Sequence, residues 1–570
     1  MISVASFLDP ALIVEQMELT PGLSRLRTLS NEFSQADRET FEAVIAGVQR
    51  FGAEYLEPVN SKGDAQGCEL QGGRVRLPTG YSQAWKSYVA QGLPTLEVPT
   101  QNGGQGLPLL LAAQVQEIVD GHCAAFGMLP VLVRSAAKLV AAHADPAVKD
   151  EWIPRLCSGE WAATICISEA DAGSDVQRLR TKAELQEDGS WSVTGEKMWI
   201  SFGDHCLTPR IGHCLLARTG AGISLFLVPN IYDDANGDPQ SNAVTVRRIE
   251  EKMGLHGSPT CALGFEGAKG WLLGEEGKGL QNLFVMITNM RLCAGVQGIG
   301  IASAALDVAL KYARDRKQGG ELKAPPVAIA EHADVQRMLL ESAARVHTLR
   351  GVGHLIAVQA DLAFHEPDDK ERARSRSLLQ WLLPVFKTEG GMCGFDVAST
   401  AVQVLGGAGY TREWPVEQYL RDARIATIYE GTSGIQALDL LRRQVWREKG
   451  RGMVVFLELA RKDLDLVSGS ERRSAQACYD LLEDAAAQLY QMQSLPRNAE
   501  CGANAFLELS GLAAASWMAT RLASLAAETP VRRRLAAAGR YHLVDLADRA
   551  AALHAAAVRG AANLELFKFL

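Results

Sequence analysis

The 570-residue sequence carries eleven cysteines and eleven histidines but no Cys-x-x-Cys pair and no His-x-x-x-His spacing. Zinc ligands recur at such short spacings, so no resident metal is expected. Dispersed cysteines in odd number read as small buried hydrophobes in a reducing compartment, and a cytoplasmic location is expected. Basic charge is not in excess: 58 Lys+Arg stand against 66 Asp+Glu, a net charge of −8. That excludes the basic footprint of a nucleic-acid protein. No run of about 18 uncharged apolar residues is found, so no integral membrane segment is expected. The opening MISVASFLDPALIVEQ has no basic leader and meets Asp9 early, a poor signal peptide. Alternating βα units and a GxGxxG after a strand are both missing, which excludes a Rossmann domain. A redox cofactor would have to be held another way.

Apolar residues are plentiful, at 47 %, and the length suits three or four domains of about 100–200 residues each. Residues 1–160 read as a helical domain. In DRETFEAVIAGVQRF, Phe41, Val44, Ile45 and Val48 recur at helical spacing behind Asp37, an N-cap residue. The polar stretch NSKGDAQGCELQGG reads as a loop. Residues 161–278 change to short β-rich runs, WAATICIS, WSVTGEKMWIS, HCLLAR, ISLFLV and AVTVRRIE. Asp188-Gly189 between two of them signals a hairpin. This block is expected to be an antiparallel β domain or barrel. Residues 279–447 return to helix, with Leu292, Val296, Ile299, Leu306 and Leu310 on one face. Gly295, Gly298 and Gly300 in that helix each cost about 1 kcal/mol against Ala, which suggests close approach of a backbone or ligand. Residues 448–570 are Ala- and Leu-rich, helical, and without a chemical motif.

Four segments carry chemistry-bearing residues. ICISEADAGSD (165–175) packs hydroxyls and small residues between strands, either a ligand-facing loop or an ordinary connection. In TGEKMWISFGDH (194–205), Trp199 and Ser201 alternate to one side of a strand. A flat indole beside a hydroxyl suits a polar ring system and equally a core Trp with an incidental Ser. In QVLGGAGY…IATIYEGTSGIQ, Gly406, Gly407 and Gly409 allow close approach. Glu430 ends the apolar run Ile425–Tyr429, where desolvation would make it a stronger base, or where it merely precedes a helix. Arg291, alone in apolar helical text, is an anion anchor or a structural ion pair.

SEADAGSD, GEKMWIS, KMGLHGSPT, LLGEEGKGL, QVLGGAGY and IYEGTSGIQ, in this order across residues 160–447, resemble the acyl-CoA dehydrogenase family. The C-terminal extension resembles its long-polypeptide subgroup, which includes methylthiopropionyl-CoA dehydrogenase-like enzymes. The resemblance implies an α+β multidomain fold. An N-terminal helical domain precedes a central antiparallel β domain, a C-terminal four-helix bundle and an extra helical domain. It implies FAD, with Ile167, Ser168, Ser174, Trp199, Ser201, Arg316, Gln403, Gly406, Gly407, Thr432 and Gly434 in contact with it. Ser174, Arg291 and Gly431 would face an acyl-CoA substrate, and Glu430 would be the catalytic base. The implied reaction is α,β-dehydrogenation of the thioester to a trans-2-enoyl product, with an electron-transfer flavoprotein as partner. A homodimer is expected, because the tail of related long members covers the surface that shorter enzymes use to form tetramers. Departures from the family pattern are Ser168-Glu169-Ala170 for Thr-Glu-Pro, Gly319 for the Phe of Arg-x-x-Phe-Gly, and Ala333 for a common Gln. Met290 occupies the other place where a base occurs. An oxidase using oxygen, a dehydrogenase of carrier-protein thioesters and a scaffold protein keeping the fold are the alternatives.

Overall fold

The computed structural model describes residues 6, 8–234 and 236–570. The chain opens with α1 (Pro10–Glu18), where the Asp9 carboxylate accepts from the N–H of Ala11 at 3.0 Å and of Leu12 at 3.2 Å. Pro10 at the first position has no N–H to leave unpaired. α2 (Arg38–Phe51) is capped by Asp37, which accepts from Thr40 N at 2.8 Å. Its periodic residues Phe41, Ile45 and Val48 are fully buried. The polar stretch expected as a loop is partly helical. α3 (Glu57–Gln66) runs through it, with Pro58 in its first turn and Asn60 and Gly63 buried. A face that packs through Asn and Gly carries no apolar period, so its text looked like a connection. A short hairpin follows, β1 (Glu69–Gln71) and β2 (Arg74–Arg76), turning at Gly72 and Gly73 with φ of 59° and 79°. α4 (Leu109–His143) is broken at Cys123, whose φ and ψ of −160° and 91° are not helical.

Seven strands build the β domain: β3 (Ala162–Cys166), β4 (Lys182–Leu185), β5 (Trp191–Ser201), β6 (Ile211–Thr219), β7 (Gly222–Pro229), β10 (Val244–Ile249) and β11 (Thr260–Leu272). β8 (Ile231–Asp233) and β9 (Pro239–Ser241) form a separate hairpin. The pairings β11–β5–β4–β6–β7–β11 close a ring, flanked by β10 on β11 and β3 on β6. Pairing is antiparallel except along β6, which runs parallel to β3 and, through Lys182↔Arg218, to β4. Asp188-Gly189 turns β4 into β5 as the sequence predicts, with Leu185 opposite Trp191. Inward side chains Trp191, Val193, Leu215, Phe226, Leu263 and Phe265 fill the interior.

Further helices include α5 (Phe284–Asp315), α6 (Ala333–His365), α7 (Asp369–Leu405), α8 (Ser433–Leu438), α9 (Arg451–Lys462), α10 (Gly469–Gln491), α11 (Ala503–Ala523), α12 (Pro530–Leu543) and α13 (Leu546–Ala557). Two of the α5 glycines, Gly295 and Gly298, are explained by a close crossing with α7. A Cβ on Gly298 would lie 2.0 Å from the Gly390 carbonyl oxygen of α7, and one on Gly295 would meet the Phe386 ring at 2.5 Å. α4 and α5 each contain an 18-residue stretch of mean hydropathy 1.5, long and apolar enough to cross a membrane by composition. Those stretches are 94 % and 89 % buried in the fold.

Contacts divide the chain into two compact units, one of Met1–Ala46, Pro108–Glu117 and Arg291–Leu570, the other of Gly47–Leu107 and Ile118–Met290. In the first, α1 is tied to distant parts of the sequence. Leu12 packs with Leu522 and Leu535, and Glu15 takes Arg38 at 3.1 Å and Arg532 at 2.8 Å. The fully buried Arg350 pairs with Glu117 at 2.6 Å and donates to Gln16 at 3.0 Å. Of the eleven free cysteines eight are buried, but Cys206 and Cys501 are exposed and Cys68 is half-buried, so the reading as core hydrophobes fails for these.

Candidate active site

In the second unit, the loop after β3 is held against β5 rather than left as a loose connection. Met198 N donates to Ser168 O at 2.9 Å. The buried Lys197 ammonium reaches Ile167 O at 3.0 Å and Glu169 at 2.7 Å. Glu169 also accepts from the N–H groups of Arg180 (2.5 Å) and Thr181 (3.1 Å). Burial opposes ionisation of Glu169, but the Lys197 ammonium and these donors hold its carboxyl below the usual range. Lys197 was missed in the sequence, although it follows Trp191 and Val193 at inward positions of the strand.

Trp199 is 59 % exposed and has a φ of 64°. The cause is a bulge: Ile200 pairs with Cys261 and Lys197 with Leu263, so β5 has one residue more than β11 between these pairs. A left-handed conformation is costly for a non-Gly residue. Here it leaves the indole exposed, with the half-buried Ser201 two residues further along β5. Ser174 is exposed, beside Gly173, whose missing Cβ would touch nothing.

In the first unit, the segment before α8 makes a tight turn. Glu430 has a φ of 55° and Gly431 one of 88°. Three side chains fix the turn from outside it. Tyr429 donates its hydroxyl to Gln297 at 3.0 Å, Gln436 donates to Glu430 O at 2.9 Å, and Lys387 donates to Gly431 O at 2.7 Å. Thr432 caps α8, accepting from Ile435 N at 3.3 Å. No hydrogen bond or ion pair among the described residues engages the Glu430 carboxylate, and its N–H has no acceptor. Burial pushes that carboxyl up from the ordinary value, against the opposing charges of Lys387 and Arg291. Burial likewise pulls Lys387 down to about 8. Arg291 forms an ion pair with Asp439 at 3.0 Å, which realises the structural alternative, while its Nε has no partner.

Gln403, Gly406 and Gly407 lie exposed where α7 ends, and Gly406 has a φ of 61°. A Cβ on either glycine would meet nothing, and one on Gly434 would meet only Thr432, at 3.9 Å. Arg316 is exposed at the end of α5, its carbonyl accepting from Ile329 N at 2.8 Å. No hydrogen bond or ion pair among the described residues links it to the Glu430 turn. Ser433 and Gly434 border a cavity of about 740 Å³ that Glu389, Glu508 and His542 also line. Burial pushes Glu389 up to about 7. The C-terminal region thus contributes side chains beside Gly434, which its motif-free sequence did not announce.

Family profiles for the acyl-CoA dehydrogenase N-terminal, middle and C-terminal domains match residues 38–160, 164–268 and 277–445. The chain is 36 % identical over 549 residues to a 3-methylmercaptopropionyl-CoA dehydrogenase of Ruegeria pomeroyi, covering 92 % of this chain and 91 % of that one. It is 33 % identical over 444 residues to the broad-specificity linear acyl-CoA dehydrogenase FadE5 of Mycobacterium tuberculosis, covering 74 % and 72 %. Its fold resembles that of an acyl-CoA dehydrogenase from Bacillus anthracis, solved with FAD, with a TM-score of 0.77 at 20 % identity over 91 % and 88 % of the two chains.

Proposed function

The chain belongs to the acyl-CoA dehydrogenase family, and on that premise we propose that it is an FAD-dependent homodimer that converts an acyl-CoA thioester to the trans-2-enoyl thioester and passes the electrons to an electron-transfer flavoprotein. The observation that carries this reading is the Glu430 turn. A carboxylate and a backbone N–H sit there side by side without partners among the described residues, in a turn fixed by its neighbours.

The residues fit the cofactor. The strained, exposed Trp199 offers a flat apolar face, with the half-buried Ser201 two residues along the same strand. Ser168 and Ile167 stand on the loop held by Lys197 and Glu169. In the other unit, Gln403, Gly406, Gly407, Thr432, Gly434 and Arg316 offer uncrowded backbone and one cation. Bound FAD supplies an acceptor for the hydride from the β carbon. The chain supplies the proton chemistry. The Glu430 N–H donates to the thioester oxygen, which increases the acidity of the α carbon. The Glu430 carboxylate then takes the α proton. Partial desolvation raises its affinity for that proton. Arg291, pinned by Asp439, adds positive charge beside the thioester, and Gly431 lines its approach.

The test is an anaerobic titration of the purified flavoprotein with acyl-CoA and acyl-carrier thioesters. 3-Methylmercaptopropionyl-CoA is included because of the Ruegeria relative. Flavin bleaching by at least one acyl-CoA is expected, and denaturation is expected to release FAD. In Glu430→Gln, FAD content and acyl-CoA binding stay near normal while reduction slows by about 10²–10⁴-fold, the worth of a positioned base. Release of FMN, absence of bleaching across the panel, or near-normal reduction of this variant would overturn the assignment.

A further inference from the structure

We propose that Lys387 is a positioning residue for Glu430: its ammonium clamps the turn that carries the carboxylate and supplies a positive charge facing it. The inference rests on the reading of Glu430 as the base. Lys387 is fully buried on α7, among the buried Leu383, Val385 and Phe386. A buried ammonium is costly unless it is paired. Yet among the described residues Lys387 has no carboxylate in ion-pair contact; its hydrogen bond goes to Gly431 O at 2.7 Å, and the Tyr429 ring centroid lies 5.9 Å away. An apolar residue would fill the same space without the desolvation cost. What an apolar residue cannot do is hold the carbonyl of Gly431.

That carbonyl matters because Glu430 and Gly431 both occupy the left-handed region. Such a conformation persists only where the surroundings over-determine it. Gln436 holds one carbonyl of the pair and Lys387 the next. The charges facing Glu430 are Lys387 on α7 and Arg291 on α5. Asp439 answers Arg291, and the Tyr429 hydroxyl is occupied by Gln297. Lys387 is therefore the facing cation that no carboxylate neutralises.

The sign follows from the charges. Removing the ammonium withdraws an attraction for the carboxylate, so Glu430 must titrate at higher pH. The base works only when ionised. Its rate at a fixed pH below the new midpoint falls, then recovers as pH rises. Lys387 itself is cationic below about 8, so its charge is present across the neutral range.

The experiment compares Lys387→Met, which removes donor and charge, Lys387→Gln, which keeps a donor, and Lys387→Arg, which keeps the charge. The first readout is an isotope-edited infrared titration of the Glu430 carboxyl in ligand-free protein, assigned by its loss in Glu430→Gln. The second is the pH profile of anaerobic flavin reduction. In the Met and Gln variants the carboxyl titration moves to higher pH. Reduction on the acid side falls about tenfold, the effect of moving a midpoint by one pH unit; it recovers at alkaline pH in Lys387→Gln, which keeps a donor for Gly431 O, but only in part in Lys387→Met, which releases the turn. Lys387→Arg keeps the parental midpoint. If Lys387→Met does not fold, Lys387→Gln carries the test. An unmoved carboxyl midpoint in the folded variants, or full alkaline recovery of a folded Lys387→Met, would overturn the inference. Normal reduction of Glu430→Gln would instead overturn the base assignment, while the infrared titration would still decide the role of Lys387.

Discussion

Two glycine-to-alanine substitutions inside helices should change stability in opposite directions. Gly47 lies in α2, and a Cβ there would meet nothing within 4 Å. Alanine removes backbone freedom from the unfolded chain without a clash, so Gly47→Ala should stabilise by about 0.4–1 kcal/mol. Gly298 sits at the crossing of α5 and α7. Its Cβ would lie 2.0 Å from Gly390 O, well inside the 3.4 Å at which ordinary contact begins. The obstacle is backbone, so no side-chain rotation relieves it; the helices must separate. Overpacking of this kind costs up to about 3 kcal/mol. The propensity gain of Ala over Gly returns about 1 kcal/mol. Gly298→Ala should therefore destabilise by about 2 kcal/mol. Urea unfolding followed by far-ultraviolet circular dichroism, with both variants beside the parent, measures the two shifts. A Gly298→Ala protein as stable as the parent would refute the argument that glycine is there for the helix crossing.

Glu169→Gln should destabilise the β domain by about 3 kcal/mol, because it strands the buried Lys197 charge; an unchanged urea midpoint would contradict this. Light scattering should find a particle of two chains, as the helical tail α9–α13 would leave the tetramer-forming surface covered; a stable tetramer or a monomer would count against it.

The fold was legible wherever local chemistry decides it. Asp188-Gly189 marked a hairpin, Phe41, Ile45 and Val48 marked a buried helix face, and Gly295 and Gly298 marked a close crossing. α3 was not legible, because its packed face uses Asn60 and Gly63. The parallel neighbours of β6 were not legible either, since strand order depends on partners far along the chain. The candidate site divides in the same way. Glu430, Trp199 and Ser201 stood out in short motifs. Lys197 and Lys387 did not, because their partners lie 30 and 44 positions away. The bulge that turns Trp199 outward needs the register of a second strand to be seen.

The attachment of α1 has a consequence for synthesis. Glu15 waits for Arg532, and Leu12 for Leu522 and Leu535. A ribosome making about 5–20 residues per second would release the amino-terminal helix roughly half a minute or more before its last partners emerge. During that interval Leu12 lacks the cover of Leu522 and Leu535 and is open to chaperones or to other nascent chains. Contacts between sequence ends are slow to form because their loop must close first. Truncation from the carboxyl end, even well past the candidate active site, would leave that exposed state permanent, so a shortened version of this chain should be harder to obtain folded than its domain pattern suggests.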